Sequence, residues 1–194
     1  MNNIPKQIQE KIERLPVGLQ SHLTRVSLIA HDLSVKHQVD SHKAQFAAIC
    51  HDLARDLEPK ILIKEAERLF IPIGTIEKKA PILLHGPIAA TWLSDEIGIQ
   101  DKEILQAVYS HSTGCKNMTK LSKIVFIADK VDEIKLIGKP HLVKIKDLAY
   151  QNLDQAILEY FNHELKVFLE RGDYIHPSTI EARNELLESL ESEV

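Results

Sequence analysis

Ile49-Cys50-His51-Asp52-Leu53-Ala54-Arg55-Asp56-Leu57 closes an alanine-rich apolar run, and its adjacent histidine and aspartate govern how the rest of the chain is read. Both groups are expensive to bury without a partner. Neutral imidazole and ionised carboxylate are also good ligands for a divalent transition metal. One such dipeptide arises easily by chance. The pattern comes from four further groups, His22, His85, His111 and Asp129, each set in its own apolar helical repeat.

Outward from that stretch, apolar residues recur at three and four nearly everywhere, aromatics are scarce and β-branched alternation is weak, so the expected class is all-α. A first helix is predicted over Leu19–His37, with Leu19, Leu23, Val26, Ile29, Ala30 and Leu33 inward and His22 at the edge of that stripe. Asp40-Ser41 offers an N-cap to a second helix, whose Ala44, Ala47 and Ala48 allow close approach of a neighbour. His51 and Asp52 are about 100° apart on a helix, so they share a ligand sphere only where the helix ends or an ion lies between their faces. Pro59 opens a third helix, to about Leu69. Gly86-Pro87 reads as a helix start that places His85 at an N-terminus. Ile104, Ala107, Val108 and His111 form one helical face. Thr119 caps a helix predicted to run to Glu133, apolar nearly all round except for Asp129. An unpaired buried carboxylate is not tolerated, so Asp129 demands a partner. Beyond Pro140 we expect one long amphipathic helix closed by Gly172, then a last helix capped by Ser178-Thr179-Ile180-Glu181.

Composition narrows the function classes. The 194 residues, 44% hydrophobic and 27% charged, suit one soluble globular domain, taken here as 1–194 with its core at about 19–187. A net charge of -4 leaves no footprint for general nucleic-acid binding. Two cysteines are too few for a disulfide framework, no apolar run reaches membrane-spanning length, and Met1 to Pro16 lacks a signal-peptide core. The expected location is cytoplasmic.

Taken singly, each histidine is more readily structural than a ligand. His31, His37, His42, His141 and His163 lie among polar residues, and His176 before Pro177 reads as a turn. For the six singled out, periodicity leaves two accounts open: satisfied core polar groups, or a shared metal site.

His22, then His51-Asp52, then Asp129 in an apolar helix resembles the H…HD…D signature of the HD superfamily of metal-dependent phosphohydrolases. HDLARDL (51–57), LLHGPIAA (83–90), HSTGCKNM (111–118), KIVFIAD (123–129) and HPSTIEARN (176–184) together resemble the bacterial symmetrical diadenosine tetraphosphatase family. That resemblance implies an HD-domain helical bundle with a dinuclear metal site in its core. His22, His51, Asp52 and Asp129 would hold one ion, and Asp52 would bridge to a second held by His85 and His111. Iron is the implied metal, with manganese or another divalent ion as substitute. The implied reaction is cleavage of diadenosine tetraphosphate to two ADP, by attack of metal-bound hydroxide on an inner phosphate. Asp52 and Arg55 are the candidate catalytic residues; Arg25, Thr113, Gly114 and Lys116 are candidate substrate contacts. The chain departs from the family at Cys115-Lys116 and at Glu133-Ile134-Lys135, where arginines are usual, which weakens or relocates cationic contacts to the polyphosphate. The expected partner is a dinucleoside polyphosphate or another nucleotide, with no nucleic acid and no membrane; a homodimer is compatible with the sequence. The alternatives are another HD phosphatase or phosphodiesterase, and a metal-containing sensor or binding module without turnover.

Overall fold

Ile8 and Leu15 set the first surprise of the computed structural model, which describes residues 4–192: both are buried, by a helix that the polar N-terminus did not announce. This helix, α1 (Lys6–Arg14), carries Ile8 and Ile12 at i and i+4, and fully burying one such side chain is worth about 1.5–3 kcal/mol. Lys11 stands over the Trp92 ring at 4.0 Å and ties the same helix down from its polar side.

The described residues form helices and turns with no strand. After α1 come α2 (Val17–Lys36), α3 (Ser41–Cys50), α4 (Pro59–Arg68) and α5 (Thr75–Lys79). A single 3₁₀ turn at Pro81–Leu84 leads into α6 (His85–Asp95), followed by α7 (Lys102–Ser110), α8 (Lys120–Lys130) and α9 (Glu133–Leu136). The chain closes with α10 (Pro140–Ala149), α11 (Leu153–Arg171) and α12 (Pro177–Glu191).

Asp40 caps α3 through its side chain, which accepts from the N–H groups of His42 and Lys43, and Thr119 caps α8 by accepting from Ser122 N–H. α8 is the central post: Ile124 through Asp129 are all buried, and α2, α3, α7 and α11 pack around it. Ala44, Ala47 and Ala48 are fully buried, and α3 lies close along α2 as small side chains allow. A smaller cluster of Ala54, Leu62, Ala66, Ile71, Leu84 and Ile88 joins α4 to α6.

Three helix boundaries differ from the sequence expectation. α8 stops at Lys130 and a separate short turn of helix follows at Glu133. The expected single helix after Pro140 is two, α10 and α11, because Asn152 is extended (φ -146°) and its side chain accepts from Gln155 N–H, restarting the helix. α12 is capped by His176, whose Nδ1 accepts from Ser178 N–H, so the cap lies two residues before the predicted Ser178.

Candidate metal centre

His51, His85, His111 and Asp129 all sit where helices stop or start. His51 follows the last residue of α3, His111 follows α7, His85 opens α6, and Asp129 is the penultimate residue of α8. α3 ends at Cys50, and Asp52 lies in the turn that follows it. Gly86 makes the closest approach: a Cβ there would meet the Tyr109 carbonyl oxygen at 2.8 Å, so only glycine lets the start of α6 meet the end of α7. His22 reaches the same point from the first half of α2. All six candidate ligands therefore converge.

Asp52 stands between two groups. Its Oδ2 faces His51 Nε2 at 3.4 Å and His22 Nε2 at 3.7 Å, while Asp129 Oδ1 lies 3.1 Å from His22 Nε2 and 3.7 Å from His51 Nε2. Its other oxygen, Oδ1, faces His85 Nε2 at 2.8 Å and His111 Nε2 at 3.4 Å. Ligand atoms with bonds near 2.1 Å to a shared ion stand about 3.0–3.4 Å apart, and the separations here, from 2.8 to 3.7 Å, bracket that range.

The backbone fixes which ring nitrogen faces inward. Nδ1 of His51 bonds to the Ala48 carbonyl at 2.6 Å, Nδ1 of His111 to the Val108 carbonyl at 2.7 Å, and Nδ1 of His85 to the Ile82 carbonyl. A carbonyl can only accept, so each Nδ1 carries its proton, and in the neutral, ligating form each ring turns a lone pair from Nε2 into the cluster. His85 Nε2 and His111 Nε2 are then two acceptors 2.8 Å apart, of which the single Ser112 hydroxyl can serve one, and His51 Nε2 is buried with no hydrogen-bond partner. Native proteins seldom leave such atoms unmatched. The residues fit a divalent metal in each half of the cluster.

The electrostatics agree with that donor set. Burial pushes the Asp129 carboxyl up, but the ammonium groups of Lys130 and Lys135 and the His22 and His51 imidazoles hold it well below the usual carboxylate range. Burial also opposes ionisation of Asp52, and His51, His111 and His85 reverse the effect. The two neighbouring imidazoles diverge. Burial disfavours charge on His51, yet the Asp52 and Asp129 carboxylates outweigh it and raise its pKa to about 10. Burial dominates at His111 and lowers it to about 4. The Asp52 and Asp129 carboxylates thus favour a positive charge at His51 Nε2, which a proton supplies or a metal cation in its place.

Behind His22 lies a residue that sequence reasoning did not single out. Asp132 is 1% exposed and accepts from His22 Nδ1 at 3.0 Å. Arg25 grips the same carboxylate with Nε at 2.6 Å and Nη2 at 2.9 Å. Arg25, expected on the substrate, is therefore turned onto Asp132 and helps orient a candidate ligand. The signal for Asp132 was faint, an acid three residues after Asp129 in a charged stretch that reads as a solvated face.

The other candidates fall in two places. Arg55 and Lys116 are exposed and form no ion pair among the described residues. Thr113 and Gly114 line a cavity of about 490 Å³ with Tyr109, Leu84, Glu77 and His176. Gly114 has φ +69°, and a Cβ there would meet Phe161 Cζ at 2.8 Å, so the turn after α7 requires glycine. His176 Nε2 pairs with Glu77 Oε1 at 2.8 Å on the cavity wall, so this histidine lines the cavity besides capping α12.

The model of the HD domain family matches residues 19–134 of this chain. The chain belongs to the HD domain family, and it is an HD-domain hydrolase. Within that class it is similar to a protein of Halalkalibacterium halodurans named bis(5'-nucleosyl)-tetraphosphatase, symmetrical, at 34% identity over 86% of this chain and 87% of the relative. A Staphylococcus aureus protein of the same name is 30% identical over 94% of this chain and 93% of the relative. Among solved structures, a Clostridium acetobutylicum protein described as a predicted HD superfamily hydrolase involved in NAD metabolism superposes with a TM-score of 0.88. It is 28% identical, and the match covers 96% of this chain and 98% of that one. Among the described residues, no helix is long and apolar enough to cross a membrane.

Proposed function

We propose that this chain, as one HD-type domain acting in the cytoplasm, hydrolyses diadenosine tetraphosphate symmetrically to two ADP. The observation that carries the reading is Asp52, whose two oxygens face two separate sets of inward imidazole nitrogens. His22, His51, Asp52 and Asp129 would hold one divalent ion, and Asp52, His85 and His111 a second. Iron is our first choice and manganese the substitute. Bound there, two such ions would supply Lewis-acid activation of water and charge neutralisation at the phosphates.

The chain's own residues supply the rest. Asp132 and the backbone carbonyls of Ala48, Ile82 and Val108 keep the imidazole protons on Nδ1, so the rings stay oriented. The cavity beside Thr113 and Gly114 is of a size that suits a nucleoside, with apolar walls for a base and Glu77 and His176 as polar groups. Arg55, exposed and unpaired among the described residues, is our candidate phosphate clamp, and Lys116 a lesser one. Water adds to an inner phosphorus, the bridging P–O bond breaks, and the second ADP departs as a phosphate anion. Neither cysteine serves as nucleophile in this scheme. Cys50 is fully buried, and burial pushes both thiols up, away from the reactive thiolate.

The test is turnover by anaerobically purified protein whose metal content is measured, with products resolved by chromatography. ADP as sole product is expected; AMP with ATP would contradict symmetrical cleavage. Asp129→Ala should lose both metal and turnover. Full metal occupancy with no hydrolysis of any dinucleoside polyphosphate would favour a sensor or binding module instead.

A further inference from the structure

A second cavity, of about 430 Å³, opens on the Asp129 side of the cluster and shares no lining residue with the one beside Gly114. Its walls bring together Lys130, Lys135, Lys139 and Arg171 with His141 and His163, against one carboxylate, Glu164. Such a concentration of cationic groups is unexpected in a chain of net charge -4. Lys130 and Lys135 are already held on Asp129, and Lys130 Nζ reaches Asp129 Oδ2 at 2.8 Å. Lys139 and Arg171 are exposed and form no ion pair among the described residues. The His141 and His163 rings lie 3.7 Å apart. Burial, with His163 and Lys139, lowers the pKa of His141, as expected where the local field disfavours another positive charge.

Position gives this charge a use. The cavity begins at two lysines in contact with a candidate ligand, and its wall runs along α11 from Tyr160 to Arg171. That stretch is roughly 16 Å at the helical rise per residue. The first cavity borders the turn after His111, whereas this one borders Lys130 and Lys135, the two lysines paired with Asp129. A substrate whose two equal nucleotide halves flank the cleaved bond needs one place on each side.

We propose that this cavity is a second phosphate-binding subsite, which takes the departing nucleoside diphosphate half with Lys139 and Arg171 as its free cationic contacts. The inference rests on the functional reading above, yet its test is separable from it. Equilibrium dialysis of the metal-loaded protein with ADP should give two equivalents bound per chain, and one in the K139E/R171E double variant. The same variant should raise KM for diadenosine tetraphosphate roughly tenfold or more, as loss of charge-assisted phosphate contacts implies, with metal content and Tm unchanged. E164Q, which removes the opposing carboxylate, should instead tighten the second equivalent, so the subsite is testable even if the double variant does not fold. One equivalent in the wild type, or two retained in the double variant, would overturn the subsite. Absence of diadenosine tetraphosphate cleavage would overturn the functional reading and leave the ADP count to judge the cavity alone.

Discussion

Asp132 and His22 show how far a single side chain depends on what stands behind it. The His22 ring would be free to rotate on α2 if Asp132 did not accept from its Nδ1 and Arg25 did not hold Asp132 in turn. Burial raises the Asp132 pKa, but hydrogen bonds from Arg25 and His22 lower it further, so the group stays ionised and can accept. Residues that orient metal ligands in this way typically change metal affinity by about 10–100-fold when removed. Asp132→Ala is expected to weaken metal binding within that range, with partial recovery in Asp132→Glu, as read by competition with a chelator of known affinity. Unchanged affinity in Asp132→Ala would show that His22 needs no such support. The six candidate ligands were legible because each is a polar group within or at the end of an apolar run, and together they resemble the HD signature. Asp132 was not, because nothing in Lys130-Val131-Asp132-Glu133 distinguishes a buried acid from exposed ones.

Among the elements, the helix ends do the most. α3 and α7 stop one residue before a histidine, and α6 starts on one, so these side chains leave the helix ends and meet in one buried cluster. The cap of α12 also belongs to the cavity wall, since His176 bonds to Ser178 N–H on one side and to Glu77 on the other. Burial pushes the Glu77 carboxyl up, but backbone N–H groups, among them that of Gly74, and His176 outweigh it, and the net shift is downward from 4.5. A depressed carboxylate contributes stability that is fully present above its unfolded pKa and is lost as pH falls through the folded value. Glu77→Gln is therefore expected to destabilise the protein at neutral pH and to bring it level with wild type as pH drops below about 4, a convergence visible in urea titrations at several pH values. A destabilisation that persists undiminished in acid would show that the tie is not ionic. The α10–α11 break escaped sequence reading because the apolar spacing continues across it, although Asn152 caps α11 through a local bond from Gln155 N–H.

For the whole molecule, six candidate ligands converge in and around a core whose other members are mostly apolar. Metal that binds only the folded chain adds roughly 4 kcal/mol when free metal is a thousandfold above Kd. For a chain of this length that is a Tm shift on the order of 10 °C. Chelation should lower Tm by about that amount, and less in acid, where protons compete for the imidazoles. An unchanged Tm in protein shown to have lost metal would argue against a core metal centre. The sequence by itself determined the helical class, because apolar periodicity is a local property that the chain carries wherever it goes, and it singled out six polar exceptions that a resemblance to the HD signature made candidate ligands. Only the tertiary structure decided that Asp52 faces both ways, that Arg25 turns to Asp132, and that two separate cavities flank the cluster. Those features depend on distances between residues as many as 110 positions apart, which packing of α2 against α8 sets and no local pattern encodes.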